Sequence, residues 1–138
     1  MEIQNKYFAP EIETNILAEV EELVLEEAGI KNAGNYYVKI KAELCPLGLL
    51  DCCGQNKHDC CPNRPEYFAK THTIALTKYR NNIGYVKEFA HEFWHLCAGD
   101  TERLDYNDPR EIKAREIAEK ITKKIIEREH RNAVPHRP

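Results

Sequence analysis

The chain has 138 residues, with 20 Lys and Arg against 23 Asp and Glu and a formal net charge of -3. That length suits one domain around one core, residues 1–138, and the near balance of mixed charges argues against nucleic acid or an anionic membrane as a partner. No apolar run approaches membrane-spanning length, and Met1 to Lys6 lack the basic and hydrophobic regions of a secretory signal, so the expected location is cytoplasmic. In a reducing compartment six cysteines point toward metal ligation or redox chemistry before a disulfide framework.

Taken in order, Pro10 can open a first helix in which Ile12, Ile16, Leu17, Val20, Leu23 and Val24 form an apolar stripe that Gly29 closes. Residues 11–27 are rich in Glu, whereas the last thirty carry more Lys and Arg than acids. The two helices could meet at their charged margins, although solvated faces are the simpler expectation. Residues 36–44 alternate Tyr36, Val38, Ile40, Ala42 and Leu44 with Tyr37, Lys39, Lys41 and Glu43, the period-two pattern of a strand with one buried face. Between 45 and 70 the pattern is lost, and Pro46, Pro62 and Pro65 with Gly48 and Gly54 predict an irregular, Cys-rich insertion. Long loops need ties. Cys45, Cys52, Cys53, Cys60 and Cys61, with His58 nearby, could supply them as a structural metal site, as disulfides or as unpaired thiols.

Thr71 to Thr77 returns to strand composition, with His72, Ile74 and Leu76 on one side and Thr73, Ala75 and Thr77 on the other. Such a strand could present an edge to an extended peptide or lie paired on both sides. A helix follows, capped by Asn81 or Asn82 and ended by Gly99, in which Val86, Phe89, Ala90, Phe93, Leu96 and Cys97 recur at helical spacing. It contains His91-Glu92-Phe93-Trp94-His95, the pattern H-E-x-x-H. Residues i and i+4 share a helix face, so His91 and His95 can converge on one zinc ion, and Glu92 beside them can take a proton from the water the metal activates.

Catalytic zinc takes a third protein ligand. Ala98 and Thr101 stand where a metzincin would place Gly and a further ligand, and the spacing of Asp100 and Asp105 supports neither. The next helix is the better source. Asp108 reads as its cap, Pro109 as its first residue, and Ala114, Ile117, Ala118, Ile121 and Ile125 as its apolar side. On a helical projection Glu111 lies about 60° from the centre of that side, against about 160° for Glu116 and about 140° for Glu119. Glu111 is therefore the acid that can face inward, and it also stands where a capping-box glutamate would reach back to the cap.

With these residues in place, the order of elements resembles the gluzincin zinc peptidases, in particular the minigluzincins and the ImmA/IrrE-type peptidase domains. The likeness runs over roughly residues 10–128 in element order and is specific at His91 to His95 and the later helix. It implies a zincin-like α+β fold with an N-terminal helix, a small mixed sheet, an active-site helix and a glutamate helix. It further implies metal ligands at His91, His95 and Glu111, Glu92 as general base, Zn2+ as cofactor and a peptide or protein as substrate. The chain departs from the E-x-x-A-N segment of the ImmA/IrrE type at Glu111-Ile112-Lys113-Ala114-Arg115, where Arg115 replaces Asn, and in its Cys-rich insertion. The expected function is that of a zinc metallopeptidase, for which Tyr79, Tyr106 or His72 could stabilise the charged intermediate. The alternative is a zinc-binding regulatory or thiol-sensing module built on the cysteines.

Overall fold

The computed structural model describes residues 2–4, 14–40, 65–76, 82–101 and 104–133. They form a small α+β protein in which three helices, α1 (Thr14–Ala28), α2 (Asn82–Ala98) and α3 (Pro109–Ala133), accompany a mixed sheet. The strands are β1 (Glu2–Gln4), β2 (Tyr37–Ile40), β3 (Glu66–Phe68) and β4 (Thr73–Leu76), in the spatial order β1-β2-β4-β3. Neighbours β1, β2 and β4 run parallel, and β3 pairs antiparallel with β4.

The register across the sheet puts Val38, Ile74 and Tyr67 in one row. Val38 and Ile74 are fully buried there, and Tyr67 packs against the same core. Leu17, Val20, Leu23 and Val24 of α1 complete that core with the apolar sides of α2 and α3. The helical spacing of those positions is what buries them, since residues three and four apart share a face. Tyr36, Phe89 and Phe93 form its aromatic centre, with Tyr36 5.0 Å from Phe93 and Phe89 5.4 Å from Phe93, ring centre to ring centre. Helix α2 is thereby anchored just before His91, through Phe89, and between His91 and His95, through Phe93.

Several expectations are revised. The irregular span of 45–70 contains β3 and a 3₁₀ turn at Ala69–Thr71, and its five cysteines lie outside the described residues. The strand expected from Thr71 begins at Thr73, because the 3₁₀ turn and His72, at φ 47°, come first. That strand, β4, offers no edge. It is paired on both sides and buried at all four positions, so period-two alternation gives way to a central strand with both faces covered. The edge strand among the described residues on this side is β3. Of the strand expected over 36–44, Tyr37–Ile40 is observed, while residues 41–44 and the opening of α1 at Pro10 lie outside the described residues.

The charged margins of α1 and α3 do meet, contrary to the simpler expectation of solvated faces. Glu27 pairs with Lys120 at 2.6 Å and Lys124 at 3.7 Å, and Glu19 lies 3.9 Å from Arg128. Glu27 is partly buried and its partners are more open to solvent, so each pair contributes about 0–1 kcal/mol. Among the described residues no helix is long and apolar enough to cross a membrane.

The aromatic centre yields a measurable expectation. Phe89→Ala should lower unfolding free energy by about 3–5 kcal/mol in urea melts, because the side chain is fully buried between rings that cannot collapse onto the gap. A loss below about 1 kcal/mol would contradict this packing.

Candidate metal centre

Two helix termini build the site. Helix α2 ends in a Schellman turn, with Gly99 at φ 75° donating its N–H to the Leu96 carbonyl and Asp100 donating its N–H to the His95 carbonyl. A left-handed residue suits glycine, which has no Cβ to clash. The turn folds the chain back so that Asp100 lies over the last helical turn. There His95 Nδ1 donates to Asp100 Oδ2 at 2.8 Å, with both side chains nearly buried. A proton held at Nδ1 leaves the lone pair of Nε2 free to ligate.

The start of α3 is arranged with equal consequence. Asp108 caps it by accepting from the Arg110 N–H at 2.9 Å, and Pro109 occupies the first position, where no N–H is needed. The Asp108 N–H is itself satisfied by the Asp105 carbonyl at 2.9 Å. No capping box forms, because the donor that Glu111 would satisfy is already taken. Glu111 turns instead toward α2, where Oε1 lies 2.5 Å from His91 Nε2 and Oε2 lies 2.9 Å from His95 Nε2.

One ligand atom from each of His91, His95 and Glu111 lies within 4.8 Å of the other two. Bonds of about 2.0–2.1 Å to a tetrahedral ion would set such atoms about 3.3 Å apart, so the trio is of a size to hold one. Its donor chemistry fits zinc as well: two imidazoles and one carboxylate are a known three-ligand set that leaves a fourth position open. Burial pushes the His91 imidazole below its ordinary pKa. Glu111 opposes that shift, while His95 and, more weakly, Arg115 add to it. A depressed value keeps His91 neutral, the form that can donate a lone pair.

Glu92 stands beside this trio and outside it. Its carboxylate is buried at 7% exposure, with Oε1 4.0 Å from His91 Nε2. A cleft of about 580 Å³ opens there, walled on one side by Pro65 to Phe68 and the 3₁₀ turn, and on the other by Glu92, His95, Glu111 and the loop of Asp100, Thr101 and Leu104. Neither His72 nor Tyr106 lines the cleft, and Tyr79 lies outside the described residues. Cys97, two residues beyond His95, has its thiol pushed up to about 12, chiefly by burial. It therefore stays protonated at neutral pH and lacks the thiolate character of a sensing cysteine.

The predicted residues His91, Glu92, His95 and Glu111 thus meet in one place, with Glu116 exposed on the far side of α3. Asp100 is the residue that spacing alone passed over. Its signal was the glycine before it, since a left-handed glycine after a helix returns the next residue toward the final turn. Removing that partner should loosen the site. If the trio holds zinc, Asp100→Ala should weaken its binding by about 10–100-fold in a competition titration, and Asp100→Asn, which can still accept from Nδ1, by less. Equal affinity in wild type and Asp100→Ala would show that His95 needs no orienting partner.

No family model, curated protein or solved structure matches this chain.

Proposed function

We propose that the protein is a zinc-dependent metallopeptidase with a zincin-like fold, hydrolysing peptide bonds with Glu92 as general base. The observation that carries the reading is the convergence of His91, His95 and Glu111 within metal-binding distance, with Glu92 at its side and a cleft in front. Zinc held there would act as a Lewis acid on the scissile carbonyl and would acidify water toward neutrality. The remaining work falls to the chain. His91 and His95 ride on adjacent turns of one anchored helix, and Glu111 arrives from a second, so the ligand set is rigid. Asp100 holds the His95 tautomer. Glu92, buried but open to the cleft, is placed to take the proton of the attacking water and return it to the leaving amine.

A peptide in the cleft would lie along β3. Among the described residues that short strand is the sheet edge on the cleft side, and an extended substrate can continue the ladder through main-chain hydrogen bonds. This reassigns the docking role from β4 to its neighbour. A peptide needs no covalent attachment to the enzyme in such a mechanism.

The test uses the two glutamates against each other. Glu92→Gln should retain one zinc per chain and lose about 10²–10⁴-fold in peptide hydrolysis, because the amide cannot accept a proton. Glu111→Gln should weaken zinc binding without a helix-capping penalty, since Glu111 does not cap α3. His91→Ala and His95→Ala should abolish stoichiometric zinc, whereas exposed Glu116→Gln should change neither metal content nor rate. Zinc content is read by elemental analysis and cleavage with a peptide library. Zinc bound with no hydrolysis of any peptide would favour the zinc-binding regulatory module, and absence of zinc would end both readings.

A further inference from the structure

Strands β3 and β4 form a hairpin in which Phe68 aligns with Thr73, and Ala69 to His72 make its tip. That tip is tied down from within and from β2. His72 donates its N–H to the Ala69 carbonyl at 3.4 Å, the Thr73 hydroxyl donates to the Thr71 carbonyl at 3.2 Å, and the His72 carbonyl accepts from the Tyr37 N–H at 2.8 Å. His72 sits in the left-handed region at φ 47°, a conformation that a residue other than glycine keeps only where its surroundings fix it. The 3₁₀ turn Ala69–Thr71 is thus a fixed part of the cleft wall, with Lys70 at its centre.

Among the described residues that line the cleft, Lys70 is the one Lys or Arg, and no acid among them pairs with it. Four acids line the same cleft, and each is committed elsewhere. Glu111 faces His91 and His95, Asp100 accepts from His95, and Glu92 lies beside His91, where it would take the proton of the attacking water. Glu66 belongs to the other face of the sheet. Tyr67 packs against the core, so Glu66 and Phe68 alternate away from it, Glu66 in one row with Ala75 and Lys39, and Phe68 with the Lys39 ammonium 5.4 Å from its ring centre. The ammonium of Lys70 is the charge in the cleft left over to meet a charge on the substrate. Away from the metal the remaining charges are acidic and repel a carboxylate, which leaves the hairpin tip as its place.

We propose that Lys70 receives a carboxylate of the peptide substrate, so that cleavage favours an acidic group at the one substrate position that passes the hairpin tip. The inference rests on the reading of this cleft as a peptidase site and names the charge class that the site selects. Lys70 takes no part in the bond-breaking step. A lysine that merely solvates the turn would leave the choice among substrates unchanged when its charge is removed or reversed.

The test compares substrates within one enzyme, so the fraction of each variant that folds cancels from the ratio. The zinc-loaded full chain, as wild type, Lys70→Gln and Lys70→Glu, is given a cleaved library peptide in paired forms. In one series Glu replaces Gln at each position of a peptide blocked at both ends, and in the other a free C-terminus replaces the amide. At one position the wild type should favour the carboxylate by about 3–5-fold in kcat/KM, a preference that shrinks in high salt. Lys70→Gln should bring that ratio to about one, and Lys70→Glu should turn it over in favour of Lys. A preference in the blocked series identifies an acidic side chain as the group received, and one confined to the second series identifies the chain terminus. Cleavage without any carboxylate preference, or a preference that survives both substitutions, overturns the proposal. Failure of the zinc-loaded wild type to cleave any peptide removes the peptidase reading and this inference with it, an outcome distinct from cleavage that ignores charge.

Discussion

Glu111 meets His91 and His95 only because α2 and α3 lie close along their buried sides, and that closeness is a property of the core. Ala90 on α2 and Ala114 and Ala118 on α3 are all essentially buried, and small side chains at such positions let helix axes approach toward the short end of their usual range. Phe89, Phe93, Ile117 and Ile121 fill the space on either side. Larger residues at the alanines would push the helices apart, and the ligand atoms would separate with them. The donor set is thus a readout of helix packing, held in place by the same hydrophobic burial that folds the chain.

Two helix ends then convert packing into aim. At the end of α2 the Schellman turn stops the helix and delivers a carboxylate to the outer nitrogen of His95. At the start of α3 the cap is completed by Asp108, Arg110 and the Asp105 carbonyl, which leaves Glu111 available to the neighbouring helix. An acid in the first turn also sits well with the positive end of the helix dipole. In both places groups that helix termination leaves without partners are satisfied locally, and the functional side chains are pointed by what remains.

The H-E-x-x-H segment was legible because its geometry is local: four residues of helix suffice to bring two imidazoles together. Glu111 was legible as an inward-facing acid from periodicity, yet whether it would reach back to its own cap or across to α2 was not. Both readings require glutamate at the same position, and only the partner taken by the Asp108 N–H separates them. The three residues of β3 follow directly on Pro65 and are too few to show alternation, so this strand is defined by pairing with β4 and by nothing in its own composition. For the same reason β4 looked like a possible edge, since one strand that covers it, β3, is invisible in composition and the other, β2, lies far back in the chain.

The antiparallel turn of β3 has a consequence for what the sheet can tolerate. Because Ile40 of β2 aligns with Leu76 and Glu66 of β3 aligns with Ala75, the chain leaves one strand and enters the other at the same end of the sheet. Only β4 stands between them, so the two points are separated by about 10 Å, two strand spacings. Bridging so short a gap fixes almost nothing about the length of what bridges it, and the entropy of closing a loop rises only by about 0.6 kcal/mol for each doubling. The two strand ends joined by residues 41–64 therefore ask of that connection only the closure of a short gap, beside the strand that walls the cleft.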